Sequence, residues 1–235
     1  MNEFSFNMAA AALVIGFWVF YTHFARIRAK NSYSLSRALH QERISWMLRM
    51  LKRDNRVADT SVLRGLEHGV IFFASSTLLV IGALLTILFG ESSELSDLTG
   101  FDQNFWFSLP IELKLMVILL IFVYAFFQFT WSARQYSFFS VLVGGAPTHS
   151  EVAEMDEATV RGVAESIGYV ADRAGHAFNY GLRAWYFALA YSAWLVSPYA
   201  MVVSGLVVVA VLYRREFRSR SLMAMVRLFE YDQKM

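Results

Sequence analysis

Residues 69–89 form a run of twenty-one positions without a single charge, and this feature constrains the chain more than any other. A helix of this length, rising 1.5 Å per residue, crosses a hydrocarbon layer of about 30 Å. The rest of the chain is similar in character, since hydrophobic residues make up 57% of it and charged residues only 17%. Soluble domains contain about a quarter charged residues. The sequence therefore predicts an integral membrane protein.

Four further apolar segments are long enough to cross a bilayer. The first has no Lys or Arg before it, which favours a retained anchor over a cleaved signal peptide. The last apolar region, residues 178–213, is too long for one span, and the Ser-Pro-Tyr sequence in its middle indicates a turn between two spans. The five predicted spans cover about residues 6–24, 69–89, 112–132, 177–197 and 198–217.

The basic residues are distributed unevenly between the spans, and this predicts the orientation. Residues 25–68 contain ten Lys and Arg, residues 90–112 contain none, and the tail after Tyr213 contains six. Positively charged flanks remain in the cytoplasm. We therefore expect a protein of the cytoplasmic (inner) membrane, with its N-terminus outside and its C-terminus in the cytoplasm. The acids of the expected outer segment are Glu91, Glu94, Asp97, Asp102 and Glu112.

Two cytoplasmic segments are predicted to be helical. Residues 34–54 place apolar residues mostly at helical spacing with Arg and Lys between them. This helix could lie in the inner membrane interface with Trp46 inserted, which we prefer, or pack against another cytoplasmic helix. Residues 148–175 are predicted to form one or two helices, beginning with a capping box of Thr148 and Glu151. The residues expected to contact lipid headgroups are Arg26, Arg28, Lys30, Trp46, Lys52 and Arg53.

The predicted fold is accordingly all-α. We expect one integral membrane domain, residues 1–235, in which about five transmembrane helices form a bundle with two or three cytoplasmic amphipathic helices.

The sequence lacks the motifs of the common catalytic and cofactor-binding sites. It has no Cys, and no two of its five His are spaced as ligands on one helix face. It also lacks the phosphate-binding, dinucleotide-binding and nucleophile-elbow motifs. A net charge of +2 does not indicate nucleic-acid binding. We therefore expect no metal, no cofactor, no nucleic-acid partner and no enzymatic activity.

Arg183 is the residue that most suggests a functional site. It lies about 8 Å inside the expected membrane boundary, where an unpaired Arg is costly. It shares a helical stripe with His176, Asn179 and Tyr186, and the antiparallel hairpin brings Glu216 to a similar level. We predict an Arg183–Glu216 ion pair, which either braces a buried charge or belongs to an anion or lipid-headgroup site.

Other polar residues are expected at the same level. Gln128 and Arg134 lie near the inner end of the third span. The predicted polar layer at the inner mouth of the bundle consists of Arg183, Asn179, His176, Glu216, Gln128 and Arg134.

Three stretches of the sequence, residues 42–85, 113–144 and 176–222, together resemble the DUF599 family of bacterial and plant membrane proteins. The combination of FNYGLRAWYF with LYRREFRS is specific, and the resemblance covers most of the chain. One departure is Gly65, where the resemblance leads us to expect Asn. The resemblance implies a helical fold with several spans and transfers no activity.

Three classes of function are compatible with these features. The first is an oligomeric channel or transporter for a small solute or ion, such as an anion, that passes the polar layer. The second is a non-catalytic scaffold or lipid-binding subunit whose basic face binds anionic lipid headgroups. The third is an enzyme acting on lipid. We prefer transport because polar residues at membrane depth need water or a partner. Transport predicts a cavity that reaches the polar layer, whereas a scaffold predicts that helix contacts seal it.

Overall fold

The computed structural model describes residues 3–31, 34–90 and 111–232. The expected all-helical fold is confirmed for these residues. The acidic segment predicted on the outer side falls mostly at residues 91–110, outside the described residues. The helices are α1 (Glu3–Asn31), α2 (Leu35–Leu51), α3 (Val57–Phe89), α4 (Ile111–Gly144), α5 (His149–Glu154), α6 (Glu157–Ser192), α7 (Pro198–Phe217) and α8 (Arg220–Asp232).

Among the described residues, three helical segments are long and apolar enough to cross a membrane. They are Ser5–Ala25 within α1, and the whole of α3 and α4. They contain the first three predicted spans. The outward face of α3 carries large exposed apolar side chains, including Phe72, Leu79 and Phe89. Such a surface is unfavourable in water and suits contact with lipid, so the structure supports association with a membrane.

Helix α6 lies at the centre of the bundle and packs against α4, α2 and α7. Its small residues permit this close approach. A Cβ added at Gly181 would lie 2.6 Å from the ring of Phe129, and one added at Gly168 would lie 3.3 Å from Ile44. Helix α6 runs without a break for 36 residues. It therefore joins the predicted cytoplasmic segment to the predicted fourth span, because no proline or turn sequence separates them.

Side-chain hydrogen bonds join α6 to four of its neighbours. Inside an apolar bundle each pairing matters, since an unpaired polar group there is costly. The bonds run from Ser132 Oγ to Ala174 O (2.8 Å), Trp185 Nε1 to Thr77 Oγ1 (2.8 Å), Tyr191 Oη to Ala11 O (2.6 Å) and Ser204 Oγ to Ala190 O (3.0 Å).

The predicted turn after α6 is confirmed. A single 3₁₀ turn, Ala193–Leu195, follows α6, and Pro198 is the first residue of α7. The Ser197 side chain accepts a hydrogen bond from the backbone N–H of Ala200 at 3.0 Å. This is the arrangement expected for a Ser N-cap followed by Pro, which needs no N–H at that position.

Helix α2 packs along α6 and buries Met47, Met50 and Leu51. Its Trp46 is half-buried, and the indole Nε1 donates to Oδ1 of the buried Asp59 at 2.6 Å. A buried carboxylate needs such donors. This hydrogen bond holds the Trp46 indole against the protein, and α2 packs along α6, as in the second of the two predicted placements.

Candidate functional site

A cavity of about 460 Å³ lies between α2 and α6, with one residue each from α1 and α7. It brings together four of the six residues of the predicted polar layer. Its lining consists of Ala25, Ser36, Arg37, His40, Asp172, Arg173, His176, Asn179, Tyr180, Arg183 and Glu216.

Arg183 lies between two aromatic rings. Its guanidinium carbon is 5.5 Å from the ring centre of Tyr21 and 5.8 Å from that of Tyr180. Cations are attracted to the faces of such rings, but the contact leaves the guanidinium N–H groups available. Among the described residues no carboxylate lies within ion-pairing distance of Arg183. Arg183 thus presents a half-buried positive charge to the cavity.

The prediction of a direct ion pair between Arg183 and Glu216 is wrong, although both side chains line the cavity. Oε1 of Glu216 instead accepts a hydrogen bond from the backbone N–H of Ser36 at 3.1 Å. Ser36 belongs to the first turn of α2, which carries no acidic residue of its own. A negative charge near a helix N-terminus is stabilised by the free N–H groups and the helix dipole. The Glu216 carboxylate, which the sequence predicted to pair with Arg183, is therefore bound at the start of α2.

Asp172, which lines the same cavity, contacts three positively charged or ionisable side chains. Its Oδ1 accepts from Nη1 of Arg43 at 2.6 Å, and its Oδ2 lies 3.3 Å from Nδ1 of His40 and 3.2 Å from Nε2 of His176. Arg43 and His40 come from α2, whereas His176 lies one turn along α6. No group of His, Asp and Glu among the described residues is arranged to hold a metal ion. The cluster is therefore a hydrogen-bonded network between two helices.

Two opposing effects set the pKa of Asp172. Burial by itself raises it, because a charged carboxylate is poorly solvated inside the protein. The hydrogen bond and charge of His176, followed by the charges of Arg43 and His40, lower it by more, so the pKa lies below the ordinary Asp value. Asp172 is consequently ionised at neutral pH and balances Arg43.

The cavity as a whole is positively charged. Arg37 and Arg173 are exposed at its rim, and Arg183 lies deeper. Glu216 is the remaining carboxylate of the lining once Asp172 is balanced by Arg43. Arg173 and Arg183 outnumber this carboxylate, which favours an anion, and a cavity of this volume accommodates a small molecule.

Beyond Arg183 the bundle is tightly packed. Ala184, Phe187, Ala188 and Tyr191 on the following turns of α6 are fully buried. The ring of Trp18 stacks on Phe187 with their centres 5.9 Å apart. By contrast, the His40 and His176 side chains are 40% and 42% exposed. The cavity is therefore open beside His40 and His176, and closely packed residues follow Arg183 along α6.

Gln128 and Arg134, both in α4, are not part of the cavity lining. Gln128 is half-buried, and Arg134 is exposed with its guanidinium 5.5 Å from the ring centre of Phe138. The register of α4 against α6 turns these two residues away from α2. They are therefore separate from the four residues of the expected polar layer that line the cavity.

The residues predicted to contact headgroups have varied surroundings. Lys52 is exposed. Arg53 donates to Asp59 at 2.6 Å, so its charge is already paired. Arg28 lies over three aromatic rings of α1 and α7 at 5.5–5.9 Å. The side chains of Arg26 and Lys30 lie outside the described residues.

Sequence reasoning missed His40, Asp172, Arg37 and Arg173. A local signal existed, since Asp172 and His176 are four residues apart and therefore share one face of a helix. The contribution of α2 had no local signal, because it depends on contacts with residues about 130 positions away.

One protein family matches this chain over residues 9–221, and its description is "Protein of unknown function, DUF599". No curated protein and no solved structure is significantly similar to the chain. The match covers nearly the whole chain, including every residue of the cavity lining. The chain therefore belongs to the DUF599 family.

Proposed function

We propose that this membrane protein transports a small anion and that the cavity between α2 and α6 binds it. The observation that carries the proposal is Arg183, a half-buried arginine that lines an accessible cavity without a carboxylate partner among the described residues. The planar guanidinium matches the geometry of carboxylate and phosphate oxygens. Ionisable residues at membrane depth are costly, and they commonly mark the path of a solute.

The proposal includes the five-span arrangement. The second half of α6 and the whole of α7 form an antiparallel pair joined by the turn at Pro198. Each is about 20 residues long, as a span requires. With α1, α3 and α4 this would make five spans, and the basic segments favour a cytoplasmic location for the C-terminus and the mouth of the cavity.

The packed layer beyond Arg183 supports a transporter with alternating access rather than a permanently open pore. A cavity that is open at one end and sealed at the other by Phe187 and Tyr191 is the expected form of a site facing one side of the membrane. We also expect copies of the chain to associate as a homo-oligomer, for which the exposed apolar face of α3 provides a surface.

A second candidate is a non-catalytic scaffold or subunit that binds anionic lipid. Arg37 and Arg173 favour it, because they are exposed at the rim of the cavity, where the phosphate of a headgroup could reach them. The same cavity then holds a headgroup and does not release it across the membrane.

Anion flux into liposomes that contain only this protein separates the two candidates. We expect uptake of labelled sulfate or phosphate by the wild type and at least a tenfold loss in Arg183→Met, since the anion loses its main partner. Arg134→Met is the matched control, because it removes an arginine that lies outside the cavity, and it should retain flux.

Absence of flux under varied voltage and pH, with retained binding of anionic lipid vesicles, would favour the scaffold. Normal flux in Arg183→Met would show that the anion does not pass this cavity.

A further inference from the structure

We propose that His40, His176 and Asp172 form a proton-binding site that is coupled to the anion in the same cavity. The inference rests on the binding of an anion in this cavity, which is part of the proposed function, and adds a second ligand, the proton. Both imidazoles lie against one oxygen, Oδ2 of Asp172, at 3.3 and 3.2 Å.

The burial of the three side chains separates their roles. Asp172 is 10% exposed and is ion-paired with Arg43, so it forms the fixed end of the network. The two His side chains are about 40% exposed and line the cavity, so its water reaches both of them. Histidine is the ordinary side chain whose charge changes between about pH 5 and pH 8.

Protonation of these His changes the charge that an anion meets. Asp172 is already balanced by Arg43, so each added proton increases the net positive charge of the cavity. The other charged or ionisable groups around the cluster include Arg37 of α2, Arg173 and Arg183 of α6, Glu216 of α7 and Tyr136 of α4. Glu216 is the remaining carboxylate of this set, and it is held at the start of α2.

Asp172 and the arginines act on an imidazolium in opposite directions. The carboxylate stabilises it, whereas Arg37, Arg173 and Arg183 oppose it. A bound anion offsets the positive charge of the arginines and so favours protonation of the two His side chains. By linkage, the proton strengthens anion binding by the same factor. Binding of an anion therefore takes up a proton from solution, with no further reactant.

Sulfate is the best probe because its own charge does not change in this pH range. Calorimetric titration of the full chain in lipid nanodiscs is done at about pH 5.5 and about pH 7.5, in buffers of different ionisation enthalpy. We expect about tenfold tighter binding at the lower pH, from one added charge at roughly 7 Å in a partly solvated site. The buffer dependence should show uptake of up to about one proton per sulfate bound.

The His40→Gln/His176→Gln double variant should still bind sulfate, with an affinity that does not depend on pH and with no proton uptake. His149→Gln is the control, because His149 is exposed on α5 outside the cavity, and it should behave as the wild type. The proton-uptake measurement on the wild type tests the inference even when the double variant fails to fold.

The possible failures are distinguishable. Sulfate binding without pH dependence or proton uptake in the wild type overturns the coupling and leaves anion binding standing. Wild-type pH dependence in the double variant overturns the assignment to these two His. No binding of sulfate at either pH overturns both this inference and the proposed anion site.

Discussion

Arg43 of α2 and Asp172 of α6 are 129 residues apart in the sequence and form a 2.6 Å ion pair. Gly175 leaves room for the guanidinium of Arg43 in this position, because an added Cβ would lie against it and the guanidinium would have to shift. The Arg43 side chain crosses α6 at Gly175, which has no side chain. The ion pair thereby fixes α2 beside the cavity and positions His40 and Ser36 within it.

Replacing Asp172 with Asn should destabilise the protein by about 2–3 kcal/mol. The change leaves Arg43, which is only 20% exposed, without its carboxylate, and a buried charge that loses its partner is costly. The measurement is thermal or denaturant unfolding in mild detergent. Asp156→Asn is the control for a carboxylate of the same type. Asp156 caps α6 at an exposed position, where Asn caps as well as Asp, so this variant should be less destabilised than Asp172→Asn. Equal stability of Asp172→Asn and the wild type would contradict a structural role for the ion pair.

The same ion pair predicts how stability depends on acid. The pKa of Asp172 is lower in the folded protein than its ordinary value of about 3.9. Its contribution is therefore fully present above that ordinary value and is lost as the pH falls through the lowered, folded-state pKa. Unfolding measured between about pH 5 and about pH 2 should show a steeper loss for the wild type than for Asp172→Asn. Parallel curves for the two proteins would show that Asp172 does not contribute.

Trp46→Phe should cost about 1–3 kcal/mol of stability. The substitution removes the indole donor to Asp59, which is 3% exposed and keeps the guanidinium of Arg53 as a donor. The cost is that of an underpaired buried acceptor. Unfolding in detergent measures the effect. Trp131→Phe is the matched control, because Trp131 is exposed on α4 and should change stability by less than about 0.5 kcal/mol. Similar losses in the two variants would indicate that size and not the hydrogen bond matters.

Gly181→Ala should destabilise the bundle by about 1–3 kcal/mol, because the new methyl group would lie 2.6 Å from the fully buried Phe129 ring. Gly82→Ala, in the middle of α3, meets nothing within 4 Å and should be neutral or slightly stabilising. Thermal unfolding of the two variants side by side gives the comparison. A harmless Gly181→Ala substitution would mean that α4 and α6 are not packed as closely as described.

The chain contains no Cys, so single Cys substitutions report topology without background. We expect Ser93→Cys to react with a membrane-impermeant maleimide in intact cells. Ser150→Cys, in α5, should react only after the membrane is permeabilised. Labelling of both positions from the same side would contradict the five-span orientation and place the cavity mouth on the wrong side.

Local sequence signals predicted much of the fold because they depend on neighbouring residues. The capping box of Thr148 and Glu151 and the turn before Pro198 are both confirmed. Depth in the membrane drew attention to Arg183, and the structure places it in a cavity. The partner of Glu216 could not be predicted in this way. It depends on where α2 docks, and a backbone N–H that is free at the start of a helix leaves no trace in side-chain spacing.

The continuity of α6 has a mechanical consequence. Its 36 residues extend for about 54 Å, so one rigid rod carries the histidine cluster near its middle and Tyr191 near its C-terminal end. A tilt of about 5° at the cluster displaces Tyr191, which lies roughly 25 Å along the helix, by roughly 2 Å. A change in charge at the histidine cluster can therefore be transmitted along α6 by leverage, without a separate relay element.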